Sequence, residues 1–337
     1  MSMPRAAILA MILVAAGIVI YVASAAFTPP RLPPFDSPVP LQEEAEPGGF
    51  AADRPTPIEI DGKRYMSYLR AVCDLGPRQS GSAGMKKQQG LIIAHFDKLG
   101  LSTKKQTFQA KQVTIADPVE MTNLIVSIFP EKKKRVILCT HYDTRPIADQ
   151  EFDPRKWREP FVSANDGGSG VAMLMELGHH LPKLNLDVGV DLVFFDGEEL
   201  INEPRRDKYF FGSEHFAQSW KKATDRPDYF AAILFDMIAG KLPRFPAEGH
   251  SYVQAPKLNN EIWRTANELK CKVFSNQVGQ RVLDDHLQLL DVGIPAIDII
   301  DFDYTHWHRL SDRPENCDPE GPTQIARVLS VWLQRQR

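Results

Sequence analysis

The chain of 337 residues is 43% hydrophobic, 25% charged and 9% aromatic, which supports a sizeable packed core and excludes disorder throughout. Its 40 Lys and Arg against 43 Asp and Glu leave a formal net charge of -3, so no nucleic-acid partner is expected. There is no internal repeat and no second linker, which points to one large domain.

Residues Ala6 to Phe27 carry no charge, and about 20 such residues at about 1.5 Å rise span a hydrocarbon core of about 30 Å. Residues 1–27 therefore read as a transmembrane anchor with Arg5 on the near side, or as a signal peptide with a small-residue cleavage site at Ala23, Ser24 and Ala25. Both place the rest of the chain outside the cytoplasm, and the membrane is a partner only if the segment stays uncleaved. Residues 28–57 are dense in proline, which favours an extended linker. The folded part runs over 58–337. Export permits disulfides, and the 4 cysteines (Cys73, Cys139, Cys271, Cys317) leave the pairing open, although Cys139 sits in an apolar run and reads as a buried thiol.

Apolar spacing predicts helices over Tyr65–Leu75 and Gly84–Leu99, with Gly100 as a helix stop. After Phe108 the pattern turns to strands: Thr122–Phe129 and Arg135–Thr140, the second apolar enough to be covered on both faces. A helix over Ser169–Leu181, a strand over Val188–Phe195, a helix over Ser213–Lys221 and a strand over Ala231–Phe235 follow. Lys257–Leu269 is helical, Ala296–Ile300 a strand and Gly321–Gln334 a closing helix. The alternation predicts a three-layer α/β/α sandwich with a central mixed, mostly parallel sheet and ligands at the carboxyl ends of its strands.

Acids and imidazoles follow the buried runs. Arg135–Thr140 leads into His141-Tyr142-Asp143, Val188–Phe195 into Asp196-Gly197-Glu198-Glu199, Ala231–Phe235 into Asp236, and the last strand towards Trp307-His308. The loop Ala164-Asn165-Asp166-Gly167-Gly168-Ser169-Gly170 adds one carboxylate in a turn where backbone can approach a ligand closely. Singly, a strand-end Asp is an ordinary turn former or helix cap. Several together, with Glu198 and Glu199 standing directly off a core strand, call for a compensating cation or proton, and oxygen and imidazole donors suit zinc. Adjacent extended residues point to opposite sides, so one Glu can hold metal while the other faces substrate. His95, His179, His180, His215 and His250 are read as surface residues. No His-Glu-x-x-His, Gly-x-Ser-x-Gly or phosphate-binding loop is present, which sets a serine hydrolase aside.

The ordered set His141-x-Asp143, Asp166, Glu198-Glu199, Asp236, Asp285-His286 and His308 resembles the M28 zinc aminopeptidase clan, which includes the animal-type glutaminyl cyclases, over roughly Tyr65 to the C-terminus. In the peptidase branch the resemblance implies two zinc ions on His141, Asp166, Glu199, Asp236 and His308, with Glu198 as base. In the cyclase branch it implies one zinc on Asp166, Glu199 and His308. Asp284-Asp285-His286, Trp307 before His308, Phe235-Asp236-Met237-Ile238-Ala239-Gly240 and the stretch Asp312 to Asn316 are similar to the cyclases. The Trp that the cyclases carry after the Glu pair is missing here, and Trp157 is the candidate replacement or else a surface residue. The cyclase resemblance implies peptide or protein N-termini as substrate, Trp307 as an apolar wall, and Glu198 as proton carrier, its pKa raised by Asp236 and Asp284. A two-zinc aminopeptidase and a tethered binding domain without catalysis are the alternatives.

Overall fold

The computed structural model describes residues 55–337. The anchor or signal segment and all but the end of the proline-rich stretch lie outside these residues. Among the described residues no helix is long and apolar enough to cross a membrane.

The strands are β1 (Thr103–Ala110), β2 (Val119–Ile128), β3 (Lys134–His141), β4 (Gly189–Phe195), β5 (Asp228–Asp236), β6 (Phe245–Ala247), β7 (Phe274–Val278) and β8 (Ala296–Ile300). The helices are α1 (Gly62–Cys73), α2 (Ala83–Lys98), α3 (Gly168–Leu177), α4 (Phe211–Lys222), α5 (Gly249–Gln254), α6 (Pro256–Glu268), α7 (His286–Asp291) and α8 (Glu320–Gln334). The main sheet has the order β1-β2-β4-β3-β5-β8, and β6 pairs with β7 apart from it. Strands β4, β3, β5 and β8 are mutually parallel, while β2 is antiparallel to both β1 and β4.

Side-chain alternation sorts this sheet into three layers. Val136 and Leu138 of β3 face the large cluster built with α1, α2, α3, α6 and α8, whereas Ile137 and Cys139 face a smaller cluster with Phe216 of α4 and Leu289 of α7. Every residue of β4 is buried, which explains its unbroken apolar pattern. The order reverses at β3: the chain moves from β3 outward to β4, then crosses back to β5. Such a reversal leaves a crevice at the carboxyl ends, where α/β sheets bind ligands.

Local signals fix several boundaries. Asp61 caps α1 by accepting from Lys63 N and Arg64 N, and Ser82 caps α2 by accepting from Met85 N. Gly100, at φ 74°, ends α2 as expected. Strand β1 was not expected, because its Lys104 and Lys105 are exposed and it lies at the sheet edge. The four cysteines are buried free thiols. The five histidines expected at the surface are instead half-buried. His95 Nε2 lies 2.9 Å from the Met175 carbonyl, Tyr68 Oη lies 2.7 Å from His179 Nε2, and His215 stacks on Phe108 with ring centres 4.2 Å apart.

Candidate active site

The carboxyl ends of the parallel strands carry His141 at the end of β3, Glu198 and Glu199 after β4, and Asp236 at the end of β5. Asp166 stands just before α3, in a turn that only small residues allow. Gly167 has φ +77°, and a Cβ there would meet His141 Cε1 at 2.8 Å. A Cβ on Gly170 would meet Thr140 Oγ1 at 2.0 Å, so the start of α3 lies directly against β3. Four residues around the crevice, Ser163 (φ 47°), Phe210 (φ 64°), Met237 (φ 48°) and His308 (φ 52°), hold left-handed backbone without being glycine. Such strain persists only where surroundings over-determine it, and it gathers at functional sites.

Glu198, Asp284, Asp236, Trp307, Asp166, Glu199 and His308 all line one cavity of about 540 Å³. His141 lies beside it. His308 Nε2 is 3.5 Å from Asp166 Oδ2 and 3.4 Å from Glu199 Oε2. Ligand atoms of these three residues all lie within 4.8 Å of one another. Asp166 Oδ2 is buried and accepts no hydrogen bond, so a bare anionic oxygen faces the other two donors. An oxygen-rich set with one imidazole and an unsatisfied carboxylate fits a divalent cation such as zinc. A second set, His141, Asp166 and Asp236, is also close enough. There His141 Nε2 already sits 3.1 Å from Asp166 Oδ1 and 3.2 Å from Asp236 Oδ1.

Supporting groups fix the first set. Asp149 Oδ1 is 2.8 Å from His308 Nδ1 and orients that ring. Arg145 N donates to Glu199 Oε1 at 2.8 Å, and its guanidinium donates to Asp149 Oδ2 at 2.9 Å. Asp143 accepts from Glu198 N at 3.0 Å and from Glu199 N at 3.1 Å, which holds the turn after β4. Asp312 is fully buried and accepts from Asn165 N, Asp166 N and Tyr304 Oη, so it clamps the Asp166 turn. Asp284 Oδ1 accepts from Asp285 N at 2.6 Å as an ordinary turn former would, but its Oδ2 is buried without a partner.

Burial dominates the electrostatics. It drives the Glu198 carboxyl well above the usual range, with His141 opposing and Glu199, Asp284 and Asp285 reinforcing. The expected like-charge neighbours are thus half right: Asp284 contributes, while Asp236, paired with His141, is not among the main ones. Glu199 is pushed up to about 7 by burial and by Asp166, against the pull of His308. Burial would lower His308, but Asp149 and Glu199 raise it to about 9.

Trp307 is half-buried, its ring 5.0 Å from Phe302 and 4.2 Å from His308, and it walls the cavity. Trp157 does not line the cavity; its Nε1 donates to the Glu151 carbonyl at 3.0 Å. Tyr209 and Phe210 line the wall instead, their rings 5.6 Å apart. The residues missed from sequence are Arg145, Asp149, Tyr209 and Phe210. Only the aromatic pair carried a signal, being the first aromatics after the Glu pair.

A mostly parallel α/β sheet with carboxylates and an imidazole gathered at its switch point defines the class of α/β metalloenzymes. Residues 123–333 match peptidase family M28, and the chain belongs to that family. It is similar to a solved glutaminyl cyclase from Fimbriiglobus ruber, with a TM-score of 0.81 and 44% identity, covering 87% of this chain and 100% of that one. A solved Zn-dependent exopeptidase from Parabacteroides distasonis matches with a TM-score of 0.75 and 28% identity, over 83% of this chain and 99% of that one. A glutaminyl-peptide cyclotransferase from Bothrops jararaca is 25% identical over 63% of this chain, which spans 64% of that relative's length.

Proposed function

We propose that this chain is a zinc-dependent glutaminyl-peptide cyclotransferase that converts the N-terminal glutamine of peptides to pyroglutamate with release of ammonia. The observation that carries the reading is Glu198: a carboxyl 13% exposed, raised above its usual range, in one cavity with the Asp166, Glu199 and His308 cluster. The likeness to a solved glutaminyl cyclase at 44% identity supports it.

Asp166, Glu199 and His308 would hold one zinc, which when bound supplies a Lewis acid for the γ-carbonyl oxygen of the substrate glutamine. Glu198 accepts a proton from the substrate α-amine as its nitrogen forms a bond to the γ-carbonyl carbon. Glu198 then gives a proton to the amide nitrogen, whose bond to that carbon breaks, and ammonia leaves. Its raised pKa suits a group that must both accept and donate near neutrality. Asp284 and Asp236 flank this exchange as proton-sharing neighbours. Trp307 lies against the glutamine side chain and keeps water from it.

Incubating the zinc-loaded protein with a glutamine-initiated peptide should release ammonia and leave a product lighter by its mass. A second reading, a two-zinc aminopeptidase, is favoured by the intact His141, Asp166 and Asp236 set. Two tightly bound zinc ions per chain, with release of the N-terminal residue and no ammonia, would replace the first reading with the second.

A further inference from the structure

The cavity is far larger than one glutamine side chain needs, at about 540 Å³. Part of its lining comes from Arg281, Val282 and Leu283, the stretch between β7 and α7. Val282 is 7% exposed and packs inward with Met237, Ile300 and Tyr304, whereas Leu283 is 71% exposed and Arg281 is exposed as well. That alternation puts Arg281 and Leu283 on one outward side of the lip. The backbone beneath them is pinned: Gly249 N donates to the Gln280 carbonyl at 2.9 Å, and Val282 N donates to the buried Glu248 Oε1 at 2.9 Å. The lip is therefore preorganised, so a ligand need not order it.

The two arginines of the cavity differ. Arg145 is neutralised by Asp149 and lies 3.9 Å from Glu199. Arg281 has no ion pair and no side-chain hydrogen bond among the described residues. The adjacent acid, Asp284, is 4% exposed and lines the cavity, and Arg281 helps to lower the pKa of His250, another base. An unpaired guanidinium at the mouth of a site that takes an N-terminal amine at its acidic end is placed to meet a later residue of the same ligand.

We propose that Arg281 is a specificity-determining residue that selects peptides with a carboxylate side chain one or two residues after the N-terminal glutamine. This rests on the cyclase reading and names its substrate class. Three amidated peptides, Gln-Ala-Ala, Gln-Glu-Glu and Gln-Lys-Lys, test it by kcat/KM in the native protein and in Arg281→Glu. At low ionic strength the native protein should favour Gln-Glu-Glu over Gln-Lys-Lys by about five- to tenfold, the combined size of one exposed attraction and one exposed repulsion. The preference should reside in KM and shrink as salt rises. Arg281→Glu should invert the order of the two charged peptides, each rate being taken relative to Gln-Ala-Ala in the same protein. If Gln-Ala-Ala is turned over but the charged peptides rank the same in both proteins, the specificity inference falls alone. If no glutamine peptide releases ammonia, the cyclase reading fails and this inference with it.

Discussion

The two ends of the same sheet handle buried charge in opposite ways. Near the amino ends, Asp191 on β4 meets the guanidinium of Arg135 on β3 with two hydrogen bonds of 2.9 and 2.6 Å, and Ser127 Oγ and Tyr229 Oη also donate to it. The remaining guanidinium hydrogens go to carbonyls of Ile128, Phe129, Lys132 and Val190. At the carboxyl ends, Asp166 Oδ2 and Asp284 Oδ2 are buried without a partner, and so are both carboxylate oxygens of Asp298 in the middle of β8. A closed charge network specifies a fold; an open one holds capacity for a cation and for protons. The same sheet builds both because its amino ends close on one another, while its carboxyl ends are held apart by glycine turns and left-handed residues.

Paired substitutions break this comparison most severely. Glu198→Gln should lower turnover of a glutamine peptide by about 10²–10⁴-fold, with zinc content and unfolding midpoint essentially unchanged. Arg135→Met should do the reverse, costing about 3–5 kcal/mol of stability by stranding Asp191, with turnover per folded molecule preserved. Steady-state kinetics beside urea unfolding read both, and comparable loss of turnover in the two variants would erase the distinction.

A smaller effect sharpens it within the open end. Asp149 touches no substrate in the proposed scheme and acts by orienting the His308 ring. Asp149→Asn should weaken zinc binding by about 10–100-fold in chelator competition. Retention of zinc equal to that of the native protein would show that the His308 ring is held by its strained backbone alone.

The open end was partly legible in the sequence because its donors follow buried runs. His141, Glu198, Glu199 and Asp236 could be placed from the apolar stretches of β3, β4 and β5, and the Gly-Gly-Ser-Gly run marked the Asp166 turn. The supports were not legible. Asp149 meets His308 across 159 residues of sequence, a distance no local pattern encodes. The left-handed backbone at Phe210, Met237 and His308 has no residue signature, since glycine is the usual marker. Strand β1 escaped because an exposed edge strand needs no apolar alternation, and the histidines because a half-buried ring looks in sequence like any surface base.

The smallest expected effect concerns Glu248, which joins the two behaviours. It caps α5, accepting from His250 N at 2.8 Å and Ser251 N at 2.7 Å, and it holds the specificity lip through Val282 N. Burial works to raise its pKa, but His286 and the backbone N–H groups at His250 and Ser251 prevail and lower it to about 2. Its folded pKa lies below the ordinary value, so the stabilisation is complete above the unfolded pKa of about 4.5 and is lost as pH falls from there towards about 2. Glu248→Gln should cost about 1–2 kcal/mol at neutral pH, below the roughly 3 kcal/mol that the full pKa displacement represents, because the amide oxygen still accepts from the α5 N–H groups. The gap between native and variant urea midpoints should close as pH falls from 5 towards about 2, because the native carboxylate is then protonated. A gap that stays constant across this range would mean that Glu248 is held by shape and not by charge. The carboxylate that anchors the lip would then belong to neither behaviour, and the division between closed and open ends would stop at the main sheet.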